Sequence, residues 1–281
     1  MVLPAPAAAY VTPAPSPSPA GPCAQGALAS IVDRPGVGRA VAVNGSPCVV
    51  PRGRVVVEAG GREQLTTAPD GTSRLVTAPD PLVRIGIGDR DEIVVSPTLI
   101  FSWRGGANLG APFVPAFGMQ DAGFGFKREL DDRPDMQDAI EAFVTVPTGF
   151  PRGPTGFSAG TTTELVGYSI VIPLSATVGL TSTQNVVRGS APNAAGVTTA
   201  FTAYQPSLGV SYALGARATV LVQDQITTPL APGAGTGNRA LLGFQEVVAP
   251  NIVVDAEYEL NALPPANAHQ RAVGIGVAVR I

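Results

Sequence analysis

The chain of 281 residues has no run of about 18 consecutive apolar residues, so no helical membrane span is expected although 45% of its residues are hydrophobic. That hydrophobicity must be spread over short segments. Charge is scarce as well: Asp, Glu, Lys and Arg together make up 14% of the chain, and the formal net charge is −3. There is no basic footprint to attract nucleic acid, and no such partner is expected. Histidine occurs once, as His269, and cysteine twice, as Cys23 and Cys48. These three are too few for a metal site unless carboxylates joined them, so neither a metal nor a cofactor is expected. Serine chemistry needs a general base within hydrogen-bond reach. The one candidate, His269, falls at the rim of the last alternating segment, and no GxSxG elbow occurs. The catalytic set is therefore empty. GAGTG at 233–237 and GFGFK at 123–127 lack the GxxxxGK[ST] spacing of a phosphate loop.

Glycine and proline, by contrast, are abundant, with 33 and 28 copies. Beyond the first fifty residues they fall mainly between segments of alternating hydrophobicity, where turns need them. From Glu92 to Arg104, Ile93, Val95, Pro97, Leu99, Phe101 and Trp103 occupy one face, with Ser96, Thr98, Ser102 and Arg104 on the other. A strand between lipid and water has this dyad pattern. It recurs in twelve segments, near 52–65, 75–88, 92–105, 117–130, 138–148, 163–175, 178–188, 199–214, 217–228, 238–249, 253–262 and 270–281. Segments seven and ten alternate poorly, and Glu246 falls on the lipid face. The expected fold is all-β: a single closed, antiparallel, up-and-down transmembrane barrel of twelve strands, an even number as bacterial single-chain barrels have.

Tight turns are expected at Asp89–Asp91, Ser175–Thr177, Gly215–Ala216 and Pro250–Asn251, and longer loops at 106–116, 149–162, 189–198 and 229–237. Short turns face the periplasm in such barrels, which puts both termini on that side of an outer membrane. Trp103, Tyr168, Tyr204, Tyr212 and Tyr258 fall on the outward faces and suit interfacial girdles. A β-sandwich core is the competing reading. It would require nearly every strand to turn the same face to one interior with no other element intervening.

Ahead of the barrel (51–281), residues 1–29 are Ala/Pro/Ser low complexity, read either as the remnant of a signal peptide or as a Pro-rich tether. Residues 30–50 form a periplasmic segment that is a candidate plug, and Cys23 with Cys48 is a candidate disulfide in an oxidising compartment.

Several pieces occur in a specific order: IVDRPG from Ile31, PRGRVVVEAG from Pro51, PLVRIGIGDRDEIVV from Pro81, DAGFGFKREL from Asp121, AFVTVPTG from Ala142 and YSIVIPLS from Tyr168. In this order they resemble the outer-membrane transporter family of the meta-pathway of phenol degradation, over a span from about residue 31 to the end. The resemblance implies an outer-membrane barrel assisting uptake of hydrophobic or aromatic compounds. The chain departs from outer-membrane barrels generally in ending on Ile281 where Phe or Trp is usual, which bears on recognition by the barrel assembly machinery. Besides that machinery, the expected partners are outer-membrane lipid and small solutes.

The inward positions carry a mixed set of charges: Arg54, Glu58, Arg84, Asp121, Lys127, Glu129, Glu141, Arg217, Asp255, Glu257, Glu259 and Arg280. Two arrangements fit. The charges pair with one another across the lumen, since an unpaired confined charge is costly; or Arg84 and Lys127 oppose Asp255, Glu257 and Glu259 as a selectivity ring. The expected function is a passive channel or transporter for small solutes. Alternatives are a closed structural or loop-binding barrel without transport and, less favoured, an outer-membrane lipid hydrolase.

Overall fold

The computed structural model describes residues 47–68, 71–96, 101–104, 118–150, 158, 160–192, 197–215, 217–228, 236–261 and 269–281, and among them no helix occurs. The strands are β1 (Val55–Ala68), β2 (Gly71–Ala78), β3 (Leu82–Gly86), β4 (Asp91–Ser96), β5 (Phe101–Arg104), β6 (Ala122–Arg133) and β7 (Met136–Val146). They continue with β8 (Thr163–Pro173), β9 (Val178–Pro192), β10 (Thr198–Ala213), β11 (Ala218–Thr227), β12 (Gly237–Ala249), β13 (Ile252–Leu260) and β14 (His269–Arg280).

All pairings are antiparallel, and β14 returns to pair with β1 from Val56–Arg280 to Thr67–His269, which closes the sheet. β2 and β3 lie end to end along β1, opposite residues 62–68 and 55–58 respectively, and β5 and β4 continue each other beside them in the same way. Fourteen segments thus make twelve wall strands, and the fold is a closed twelve-stranded up-and-down barrel. The first break has a plain cause. Pro79 and Pro81 have no N–H to give to the ladder, and the Asp80 amide donates to Gly60 O at 2.9 Å across the gap.

Alternation sorts the side chains as a barrel in lipid requires. Along β10, Gln205 is 2% exposed and Ser207 is buried, whereas Leu208 is 59% exposed and Val210 and Tyr212 are open. Along β14, Val273, Ile275 and Val277 are exposed and Ala272 and Ala278 are buried. In β4, Glu92, Val94 and Ser96 face in and Ile93 faces out. The exterior is the apolar side and the interior the polar one, the reverse of a soluble domain. Tyr204 and Tyr212 both stand on the outward face of β10, eight residues apart. At roughly 3.3 Å per residue and a tilt near 40°, that separation corresponds to about 20 Å of height, close to the ~25 Å apolar band of outer-membrane barrels.

Several expectations are refined. β1 runs on to Ala68 and β2 begins at Gly71, with Ala68 and Gly71 as partners, and β6 and β7 likewise extend to a turn at Pro134–Asp135. The loop expected at 189–198 shortens, since β9 reaches Pro192 and β10 starts at Thr198. β9 alternates poorly because Ser182 and Gln184 face outward, and each is satisfied locally. Ser182 Oγ donates to Ser207 O at 2.8 Å and accepts from Gln184 Nε2 at 2.9 Å, while the Tyr204 hydroxyl donates to Gln184 Oε1. In β12 the polar Glu246 stays outward and exposed, near the turn at Pro250, and Asn238 donates to Asp224 Oδ1 of β11 at 2.9 Å; a bulge follows between Val247 and Ala249. Trp103 lies outside the residues whose side chains are described.

Candidate functional site

At the rim that carries Pro47–Arg54 and Ile281, a short strap of chain lies against the inside of the wall. Cys48, Val49 and Val50 are buried, and the inward side chains of three wall strands grip them. Arg84 of β3 binds Glu92 of β4 through two parallel hydrogen bonds, Nε to Oε1 at 3.0 Å and Nη2 to Oε2 at 2.9 Å. The same Nη2 donates to Cys48 O at 3.0 Å, and Glu58 Oε1 of β1 lies 3.6 Å from Nη1. Glu92 Oε2 in turn accepts the Val50 amide at 2.7 Å, and the carboxylate of Glu129 in β6 accepts a hydrogen bond from the Val49 backbone. Arg84, Glu58 and Glu92 are fully buried. A buried carboxylate pair that shares one guanidinium holds its geometry tightly, because losing any member leaves a charge without compensation.

Glycine makes room for the strap. A Cβ on Gly86 would stand 2.2 Å from Pro51 O and 2.3 Å from Val50 O, so the wall and the strap touch backbone to backbone there. Val50 then packs with Val56, Val253, Ala278 and Val247 in a small apolar cluster. Cys48 is disulfide-bonded. Its expected partner, Cys23, lies outside the described residues, as does the rest of the segment up to Ser46.

A second charged group lies on the β1–β12–β13 side. Arg62 forms a short ion pair with Glu259, and Arg239 Nε lies 3.6 Å from the same carboxylate. Between the two groups the described inward positions of β8 to β11 carry no charge, and the wall from β4 to β11 is organised in register rows. One row is apolar: Val94, Gly125, Phe143, Leu165, Val187 and Ala203 are successive partners from β4 to β10. Phe143 lies flat against the wall, because Cβ atoms on Gly123 or Gly125 would meet its ring at 2.3 and 2.5 Å. The next row carries amides, with Asn185 opposite Gln205. One step further, Thr183, Ser207 and Gln225 are successive partners from β9 to β11.

Of the charges expected to face inward, Glu58, Arg84, Asp121, Lys127, Glu129 and Glu259 are buried, and Glu141, Asp255, Glu257 and Arg280 are half-buried. Arg54 and Arg217 are corrected: both are exposed in rim turns, just outside the ends of β1 and β11, where no wall encloses them. In place of the expected opposition to the acids of β13, Arg84 has nearer partners: Glu92 on the adjacent strand takes the Nε–Nη2 edge of its guanidinium, and Glu58 lies 3.6 Å from Nη1. Asp121 accepts the Gly149 amide at 2.8 Å and so ties the connections at the opposite rim. Arg280 Nη2 reaches Pro250 O at 3.3 Å. The inward list omits Arg62, Glu92 and Arg239, although their parity matches that of Glu58, Ser96 and Leu241. It also passes over the buried amides Gln137, Asn185, Gln205, Gln223 and Gln225, which carry no charge to draw attention. Among the described residues no cluster of metal-ligating side chains occurs.

This architecture is that of bacterial outer-membrane barrels. An outer membrane channel from Pseudomonas putida F1 superposes with a TM-score of 0.65 over 83% of this chain and 97% of its own, at 9% identity. The translocator domain of the autotransporter NalP from Neisseria meningitidis gives 0.51 over 81% and 88%, at 13% identity. The KdgM porin, in complex with disordered oligogalacturonate, gives 0.50 over 79% and 98%, at 6% identity. At such identities the likeness is one of fold. No family model and no curated protein matches the sequence.

Proposed function

We propose that the protein is a bacterial outer-membrane channel that passes small solutes, with both termini periplasmic and lipid around its wall. The observation that carries this reading is the closed wall with apolar residues outside and buried polar and charged residues inside, the lining that a lumen open to water and solutes requires. Twelve strands lie between small barrels filled by side chains and the 16–18-stranded porins, so the passage is narrow. The strap at Pro47–Pro51, the described end of the candidate plug, acts as its periplasmic constriction. Resemblance to the phenol meta-pathway family adds hydrophobic or aromatic solutes to the expected cargo. The apolar row through Phe143, Leu165 and Val187 supports that addition, because it offers such a solute a dry track along one wall.

The strap also favours a second reading, a closed barrel with a structural or loop-binding role. Two measurements separate the readings: ion conductance of the full chain in planar bilayers, and uptake of aromatic, sugar and ionic probes into liposomes. Conductance together with uptake of at least one probe class supports the channel. A folded protein that conducts nothing and passes no probe is the closed barrel.

A further inference from the structure

The charged groups of the lumen are paired, but part of its buried amide lining is not. Gln225 is fully buried, and neither its amide nitrogen nor its oxygen has a hydrogen-bond partner. The carbonyl oxygens of Gln205 and Gln223, each in a side chain 2% exposed, have none either. The orientation of Gln223 is fixed by a directed chain of bonds. Its Nε2 donates to Ser207 Oγ at 2.6 Å; that oxygen also accepts the Thr183 amide at 3.2 Å and therefore passes its own proton to Thr183 Oγ1. The Gln223 carbonyl is thereby turned away from these donors. These amides share one patch of wall, because Ser207 pairs with Gln225 and Gly209 with Gln223 across β10 and β11. Arg239 is the partner of Gln225 on the other side. Arg239 and Arg62 both engage Glu259, yet Nη1 of each, and Nε of Arg62, have no acceptor.

Buried carbonyls are rarely left without a donor, which here falls to lumenal water or to a solute, and the arrangement specifies what a solute that displaces water has to offer. A carboxylate or phosphate brings acceptors only and answers the guanidiniums but not the carbonyls. A hydrocarbon brings neither. A hydroxyl both donates and accepts. We propose that Gln205, Gln223 and Gln225, flanked by Arg62 and Arg239, form a lumenal subsite for a neutral solute bearing several hydroxyl groups. The subsite rests on the channel reading and narrows its cargo. Two sources share this chemistry, aliphatic polyols and sugars on one hand and dihydroxybenzenes on the other.

The test uses the full chain in planar bilayers, with ion current recorded as xylitol, glucose or benzene-1,3-diol is added, and with benzoate as an acceptor-only control. A saturable fall in current with a hydroxylated solute, and none with benzoate, is expected. Gln225→Leu should raise the half-blocking concentration roughly tenfold, the amount expected for a lost hydrogen bond. Gln223→Met serves as the second variant, and heat-modifiable mobility on gels shows that each variant has folded. Block by xylitol and glucose assigns the site to aliphatic solutes, and block by the diol alone assigns it to aryl ones. Normal ion current indifferent to every hydroxylated solute, or block that folded Gln225→Leu and Gln223→Met leave unchanged, overturns the subsite. Absence of ion current in the native protein would instead remove the channel reading on which it stands.

Discussion

Replacing Arg84 with Met tests the strap most directly. The side chain keeps most of its length but loses two charge-assisted hydrogen bonds to Glu92, the bond to Cys48 O and the attraction of Glu58, all at full burial. Removing one partner of a buried ion pair typically costs about 3–5 kcal/mol, because the remaining carboxylates stay behind without it. That is the expected loss in the urea stability of the folded barrel. The share borne by the strap is smaller. Cys48 O loses its donor, and Glu92, which accepts the Val50 amide, loses the guanidinium that holds it in place. Leaving such groups unsatisfied costs about 1–3 kcal/mol, which converts to a roughly 5–150-fold rise in the population with the strap released.

Single-channel recording reads this quantity as the frequency of a larger open state. Adding Glu92→Gln to Arg84→Met should recover part of the lost stability, since it removes one of the stranded charges. It should not restore closure, because the carbonyl of Cys48 still lacks its donor. A folded Arg84→Met protein with the same open-state frequency as the native one refutes the strap as a constriction, whatever its effect on stability.

Three further outcomes follow from the same geometry. Val222→Arg, in the middle of β11 and 58% exposed, should destabilise the barrel in lipid by about 2–4 kcal/mol, whereas Leu214→Arg at the rim should cost about 0–1 kcal/mol; equilibrium unfolding in vesicles compares the two. Gly86→Val should dislodge the strap without breaking the wall, because the added Cβ collides with the backbone oxygens of Val50 and Pro51; the readout is raised conductance with unchanged heat-modifiable mobility. Phe143→Ala uncovers Gly123 and Gly125 and shortens the apolar row, so liposome uptake of an aromatic probe should fall relative to uptake of a small ion.

The wall was legible because a strand between lipid and water carries its orientation in every second residue. β10 and β14 show that pattern, with exposed Leu208, Val210, Val273 and Ile275 set against buried Gln205, Ser207, Ala272 and Ala278. Polar outward groups hid it in β9. Ser182 and Gln184 break the alternation in sequence, and only the Ser207 carbonyl on the neighbouring strand and the Tyr204 hydroxyl explain how lipid tolerates them. Pro79 and Pro81 were visible, but their effect, dividing one wall strand into β2 and β3, depends on which neighbours lose a ladder bond. Arg62, Glu92 and Arg239 share the parity of Glu58, Ser96 and Leu241, so their inward placement is legible from alternation alone.

What alternation does not carry is contact between strands. Arg84 and Cys48 are 36 residues apart, and no local pattern joins them. The chemistry of the lumen is arranged by register row, and each row draws one residue from each strand. Val94, Phe143 and Val187 lie on different strands and look like isolated apolar residues on polar faces when each strand is read alone. The same holds for Thr183, Ser207 and Gln225. Each tight turn fixes the register of its own hairpin, and a slip of one residue turns every side chain to the opposite face. A turn misplaced by two residues keeps the faces correct and moves the partners. Assigning inside and outside therefore needs only parity, while assigning the apolar track and the amide patch needs every turn placed to the residue. That is why the barrel could be read from the chain before its solute path could.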